Sequence, residues 1–100
     1  MYKIIYHHFV LEKDFKNLSE YEKDGIARAI HNKLTVEPHN FGKPLTGLLK
    51  GFYRLRVNKF RVVYQIKDHE VAVFIFQIGK RKDSIVYEEA IKRLRCIDFN

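Results

Sequence analysis

Cysteine, proline and glycine are scarce in this chain: one, two and five in 100 residues. The single Cys96 cannot close an internal disulfide, and no Cys or His stands beside it at a metal-ligand spacing. The chain therefore reads neither as a secreted disulfide scaffold nor as a zinc domain. A reducing cytoplasm is the expected compartment. So little Gly and Pro, with 46% hydrophobic and 31% charged residues, excludes a collagen-like chain, a linker and a disordered tail. Long apolar runs are missing too. The longest, Val71 to Phe76, is far shorter than the roughly 18 to 20 residues that span a bilayer, and residues 1 to 10 hold no signal-peptide core. One soluble, unprocessed domain is expected, with no membrane contact, burying roughly 65% of the surface its unfolded chain exposes.

The most informative absence is of acid. Between residues 38 and 67 there is no Asp or Glu, while Lys43, Lys50, Arg54, Arg56, Lys59, Arg61 and Lys67 all fall there. That stretch carries as much positive charge as the whole chain's net +7, because the remaining segments cancel. With Lys80, Arg81 and Lys82 it forms the basic footprint of a surface that meets phosphates or an acidic partner.

Hydrophobic spacing predicts the elements. Residues 2 to 6 read as a short strand. Phe9, Phe15 and Leu18 suggest a helix over 8 to 18. Ser19-Glu20-Tyr21-Glu22 matches a capping box, and Ile26, Ala29, Ile30 and Leu34 follow as one helical stripe until Pro38 ends it. Three glycines and a proline make 41 to 51 a loop. The runs 52–57, 60–67 and 71–78, separated by Asn58-Lys59 and Asp68-His69-Glu70, read as three antiparallel strands joined by tight hairpins. Asp83 or Ser84 can cap a last helix whose stripe is Val86, Tyr87, Ala90, Ile91 and Leu94. The order βααβββα describes an α+β domain spanning 1–100, a single four-stranded sheet, antiparallel and mixed through its N-terminal strand, with helices packed on it.

Strand alternation then separates charge from core. Arg54 and Arg56 share one face, opposite Tyr53, Leu55 and Val57. Arg61 shares its face with Val63 and Gln65, opposite Phe60, Val62, Tyr64 and Ile66. With the apolar sets covering the helices, the three arginines emerge on the open face of the sheet. Guanidinium groups on adjacent strands can clamp a phosphodiester and stabilise the charge of a pentacovalent transition state, and Arg81 lies just beyond the third strand. The five histidines fall in unrelated segments, with only His39 inside the basic stretch.

The runs Leu49-Lys50-Gly51-Phe52-Tyr53-Arg54-Leu55-Arg56, Phe60-Arg61-Val62-Val63-Tyr64-Gln65 and Ile78-Gly79-Lys80-Arg81-Lys82-Asp83-Ser84-Ile85-Val86-Tyr87-Glu88-Glu89-Ala90 resemble three successive signatures of the RelE-like toxins of toxin–antitoxin pairs, within the wider RelE/ParE superfamily. The resemblance implies a ribosome-dependent mRNA interferase, an endoribonuclease that cuts the A-site codon by attack of a ribose 2′-hydroxyl on its own phosphate, without metal or other cofactor. It implies catalytic roles for Arg54, Arg56, Arg61, Arg81 and Tyr87, and on that reading the acid-free basic segments put Lys43, Lys50, Lys59, Lys80 and Lys82 along the RNA. It also implies an acidic antitoxin as partner, through which the complex binds operator DNA, and the ribosome with its mRNA.

The best-known members carry Lys at both paired positions where this chain has Arg54 and Arg56. A guanidinium stays charged and makes a poor general base. The proton acceptor is thus open among Tyr87, a ribosomal or RNA group, and an arginine. Two other functions fit the residues: a ParE-like inhibitor of DNA gyrase on the same scaffold, and a basic RNA-binding module without catalysis.

Overall fold

Ser19 and Glu22 close the capping box that the sequence spells out: Glu22 N–H donates to Ser19 Oγ at 3.1 Å and Ser19 N–H donates to Glu22 Oε1 at 3.0 Å. Helix α1, Glu20–Leu34, follows and buries Ile26, Ile30 and Leu34 at helical spacing. The computed structural model describes residues 1–80 and 82–98. A single turn of helix, α2 (Pro38–Phe41), begins at the proline that stops α1.

The sheet is mixed and has five strands in the order β1-β5-β4-β3-β2. β3 (Phe52–Val57), β4 (Phe60–Lys67) and β5 (Ala72–Gly79) form the expected antiparallel meander, and β1 (Lys3–Tyr6) lies parallel to β5. Asn58 takes a positive φ of 54° in the β3–β4 turn, a conformation asparagine tolerates well. A bulge opposite Val63 and Tyr64 interrupts the β4–β5 register, pairing Val63 with Gln77 and Tyr64 with Ile75. Phe76 packs in the core under the last helix, and Gln77 donates to the Val86 carbonyl of that helix at 3.3 Å.

Four expectations need correction. Residues 43 and 44 form a fifth strand, β2 (Lys43–Pro44), on the outer edge of β3, where a loop was expected. The expected helix over 8–18 is a π-helical turn, Val10–Asp14, followed by a 3₁₀ turn, Phe15–Asn17. The wide turn buries Val10 in the core. It also aims Asp14 at β5, where its carboxylate accepts the Ile78 N–H at 2.9 Å. Val71 does not open its strand. It takes a left-handed φ of 49° after a 3₁₀ turn, so the strand runs one residue later than its β-branched composition suggests.

The fourth correction concerns the arginine face, which is not open. Helix α3, Asp83–Asp98, carries an apolar stripe of its own, and the other face of the sheet is already filled by α1. Val86 and Ala90 therefore pack with Leu49, Phe52, Val63 and Phe76, making a second core on the arginine side. Arg93 of α3 forks onto Asp14, both contacts at 2.9 Å, and locks the helix across the end of β5. Among the described residues no helix is long and apolar enough to cross a membrane.

Candidate active site

β3 and β4 pair so that Arg56 faces Arg61 directly, with Arg54 opposite Val63. Like charges across a strand pair repel, and the packing of α3 supplies the counter-charge. Asp83, the first residue of α3, brings its carboxylate down on the cluster. Arg54 Nη1 donates to Asp83 Oδ2 at 3.1 Å and Arg56 Nη2 to the same oxygen at 3.2 Å, while Arg61 Nε donates to Oδ1. One turn along the helix, the Tyr87 hydroxyl donates to Oδ2 at 3.4 Å. Three guanidiniums thus share one carboxylate, and the cluster keeps a surplus of positive charge.

Burial is graded. Arg54 is 8% exposed and forms the floor, Arg61 and Asp83 are part-buried, and Arg56 is 61% exposed at the rim. The Arg54 Nε–H is buried with no hydrogen-bond partner among the described residues. A buried, unpaired cationic donor is costly, and here it belongs to the cluster that holds the Asp83 carboxylate.

Electrostatics set the protonation states. Burial alone pushes the Asp83 carboxyl up, but hydrogen bonds from Arg61 and Arg56 and the charges of Arg54 and Arg56 outweigh it, so its pKa lies below the usual carboxylate range. Tyr87 moves the other way. Burial raises its phenol above the ordinary value, the Asp83 charge and hydrogen bond add to this, and the charges of Arg54 and Arg56 offset part of it. Tyr87 therefore holds its proton at neutral pH, as a donor rather than a base. Among the described residues no group of His, Cys, Asp and Glu could hold a metal ion.

The cluster opens onto two grooves that share Lys43. One, of about 490 Å³, is lined by Lys43, Thr46, Leu49, Asp83, Tyr87 and Ile91. The other, of about 290 Å³, is bordered by Lys33, Phe41, Lys43, Arg54 and Arg56. Pairing of Lys43 with Arg54 across β2 and β3 is what delivers the lysine.

Of the residues expected from sequence, Arg54, Arg56, Arg61, Tyr87 and Lys43 come together. Lys59 lines a separate groove between α1 and the β3–β4 turn, and Lys80 lines another with Asp14, Glu89 and Arg93. Lys50 and Lys82 are exposed and line neither groove of the cluster. Arg81 lies outside the described residues. His39 bonds instead to Asp68 at 3.0 Å and to the Tyr53 hydroxyl at 3.5 Å. Two members were missed. Lys33 is a charged residue on a helix read only for its apolar stripe, and Asp83 reads from sequence as a helix cap. The signal for Asp83 was its place as the first acid after three consecutive cations.

The model of the family described as "ParE toxin of type II toxin-antitoxin system, parDE" matches residues 10–85. The mRNA interferase toxin RelE of Escherichia coli is 34% identical over 92 residues, covering 86% of this chain and 97% of the relative. The chain belongs to the RelE/ParE family of type II toxins. The mRNA interferase RelE of Shigella flexneri matches to the same extent. The fold agrees. The toxin–antitoxin complex RelBE2 from Mycobacterium tuberculosis contains a chain that superposes with a TM-score of 0.75 at 26% identity, over 82% of this chain and 93% of that one. The isolated RelE toxin of Escherichia coli superposes with a TM-score of 0.67 at 26% identity, over 94% and 99%. The family-model match over residues 10–85 takes in the meander and the start of α3, the elements that build the arginine cluster of this toxin.

Proposed function

We propose that this toxin is an mRNA interferase, a ribosome-dependent endoribonuclease that cuts the A-site codon by in-line attack of a ribose 2′-hydroxyl on the adjacent phosphodiester. The observation that carries the reading is the convergence of Arg54, Arg56 and Arg61 on one anion, with Tyr87 at its edge. Set around a scissile phosphate, the three guanidiniums neutralise the charge that grows in the pentacovalent transition state. They hold its non-bridging oxygens in fixed directions. The family signature makes Arg81 a fourth phosphate-holding cation in this reading. Those cations supply the charge that a metal ion would otherwise bring, so the cleavage step needs no metal.

The grooves on either side of the cluster give the strand its path. Lys43 and Lys33 line them, and Lys50, Lys59, Lys80 and Lys82 extend the basic surface toward ribosomal RNA. The grooves are shallow, and a domain of this size has few walls with which to position a codon. The ribosome supplies the rest, and free RNA is a poor substrate.

The relatives named mRNA interferase, and the structure in which a similar chain is complexed with an antitoxin, support a cognate antitoxin partner here. Its acidic segment covers the basic face, and the pair acts in the cytoplasm and meets operator DNA through the antitoxin. Primer extension on a translated mRNA after brief expression tests the activity. Cuts at A-site codons with wild type, absent with Arg61→Ala and Arg81→Ala, are expected. Intact mRNA together with impaired DNA supercoiling would favour a ParE-like gyrase inhibitor instead.

A further inference from the structure

We infer that Asp83 is the general base that takes the proton of the attacking 2′-hydroxyl. The inference rests on the ribonuclease reading above and names the group that reading leaves open.

The geometry narrows the choice. The groups that face the Asp83 carboxylate, among the described residues, are Arg54 and Arg56 from β3, Arg61 from β4, Lys43 across the groove from β2, and Tyr87 from its own helix. Guanidiniums hold their protons at every working pH. Tyr87 holds its proton as well, because burial and the neighbouring carboxylate raise its phenol. Asp83 is the one member of the cluster that is an acceptor and nothing else.

Its position suits the task. A phosphate entering the cluster competes for the guanidinium protons that Asp83 accepts in the resting protein, and the 2′-oxygen is the neighbour of that phosphate along the chain. As the phosphate takes bonds from Arg54 and Arg61, the carboxylate is left beside the 2′-hydroxyl with fewer cations on it. The arginines hold its basicity down at rest, so substrate binding raises it when the proton has to move. The unpaired Arg54 Nε–H can follow the phosphate rather than the carboxylate.

The step closes on these residues. The 2′ O–H bond breaks and its proton goes to an Asp83 oxygen. The 2′-oxygen bonds to phosphorus, the bond from phosphorus to the 5′-oxygen breaks, and the departing 5′-oxygen takes the Tyr87 proton. Tyr87 recovers a proton from Asp83 through their 3.4 Å contact. The products are a 2′,3′-cyclic phosphate and a 5′-hydroxyl.

Asp83→Asn tests this, because the amide keeps the shape and an acceptor oxygen and loses the proton affinity. Single-turnover cleavage on programmed ribosomes is measured between pH 6 and 9, beside ribosome binding and thermal unfolding. The expected result is ribosome binding retained or tightened, a cleavage rate lower by about 10²-fold or more, and a rate that climbs with hydroxide where wild type is flat. An unchanged or faster rate would make the carboxylate a place-holder. A slower rate with the flat wild-type profile would make it a positioning residue. Either overturns the assignment. If Asp83→Asn does not fold, Asp83→Ala with a series of added small carboxylates gives the same reading, since a rescued rate that rises with the basicity of the carboxylate marks the base, and a rescue equal for all of them, or given equally by chloride, overturns the assignment. Wild type that cuts nothing on the ribosome would instead remove the ribonuclease reading itself.

Discussion

Gly79 runs so close under α3 that a methyl group on it would lie 2.8 Å from Cγ2 of Val86. Val86 is fully buried in the core that seats α3, and Gly79 is the last residue of β5. The absence of a side chain at Gly79 lets the helix approach the sheet closely enough for Asp83 and Tyr87 to reach the arginines. Gly79→Ala is expected to cost about 1–3 kcal/mol through overpacking and to reduce cleavage by loosening the helix start. Adding Val86→Ala restores room and recovers part of the cleavage. Urea unfolding and cleavage assays on the single and double variants check both halves.

The fork of Arg93 onto Asp14 holds the same helix from the far side. Their side chains are 14% and 10% exposed, and Asp14 also accepts the Ile78 N–H. Removing one partner leaves a nearly buried charge without its counter-ion. Arg93→Ala is expected to lower unfolding stability by about 3–5 kcal/mol, measured by urea unfolding at constant ionic strength. An Asp14→Ala loss of the same size or larger follows, because a strand N–H is left unpaired as well.

Val71 carries strain that the fold tolerates. A β-branched side chain at φ 49° is disfavoured, and Val71 is largely exposed, so little packing is lost with it. Val71→Gly is expected to stabilise the protein by about 1 kcal/mol, seen as a higher denaturation midpoint with an unchanged urea slope.

Asp83 makes stability depend on pH with a definite sign. Its folded-state pKa is lowered by the arginines, so its contribution is fully present above the ordinary carboxylate pKa and is lost as pH falls through the lowered one. The stability difference between wild type and Asp83→Asn is expected to be constant near neutrality and to shrink only in the acid range. Unfolding midpoints of the two proteins between pH 7 and pH 3 measure it.

Antitoxin binding is expected to weaken as salt rises, because the face proposed for the antitoxin holds the unneutralised arginines and Lys43. Titration calorimetry of the complex across a salt series measures this. Salt-independent affinity would point to a mainly apolar interface.

Much of this architecture can be read from local pattern. Ser19 and Glu22 announce the start of α1, Ile26, Ile30 and Leu34 its buried face, and alternation along residues 52 to 67 puts Arg54, Arg56 and Arg61 on one side. What local pattern hides is set by distant partners. The π-helical turn at Val10–Asp14 exists alongside an ion pair made 79 positions away, and β2 gains its pairing only once β3 is in place. Asp83 shows the limit most clearly. It looks like a helix cap, yet the first helical hydrogen bonds of α3 run from Ile85 and Val86 to the Lys82 carbonyl. Asp83 therefore lies one residue inside the helix, and its carboxylate is available to the two strands below. Periodicity places α3 on the sheet but not on which face, and only the occupied α1 side decides that.

Single-turnover cleavage of an A-site codon on purified programmed ribosomes, wild type against Arg61→Ala, tests the account most directly. Cleavage by wild type and a loss of about 10²-fold or more in the variant, with folding and ribosome binding retained, is the predicted result. Equal cleavage by the two proteins, or no cleavage by wild type, would contradict it.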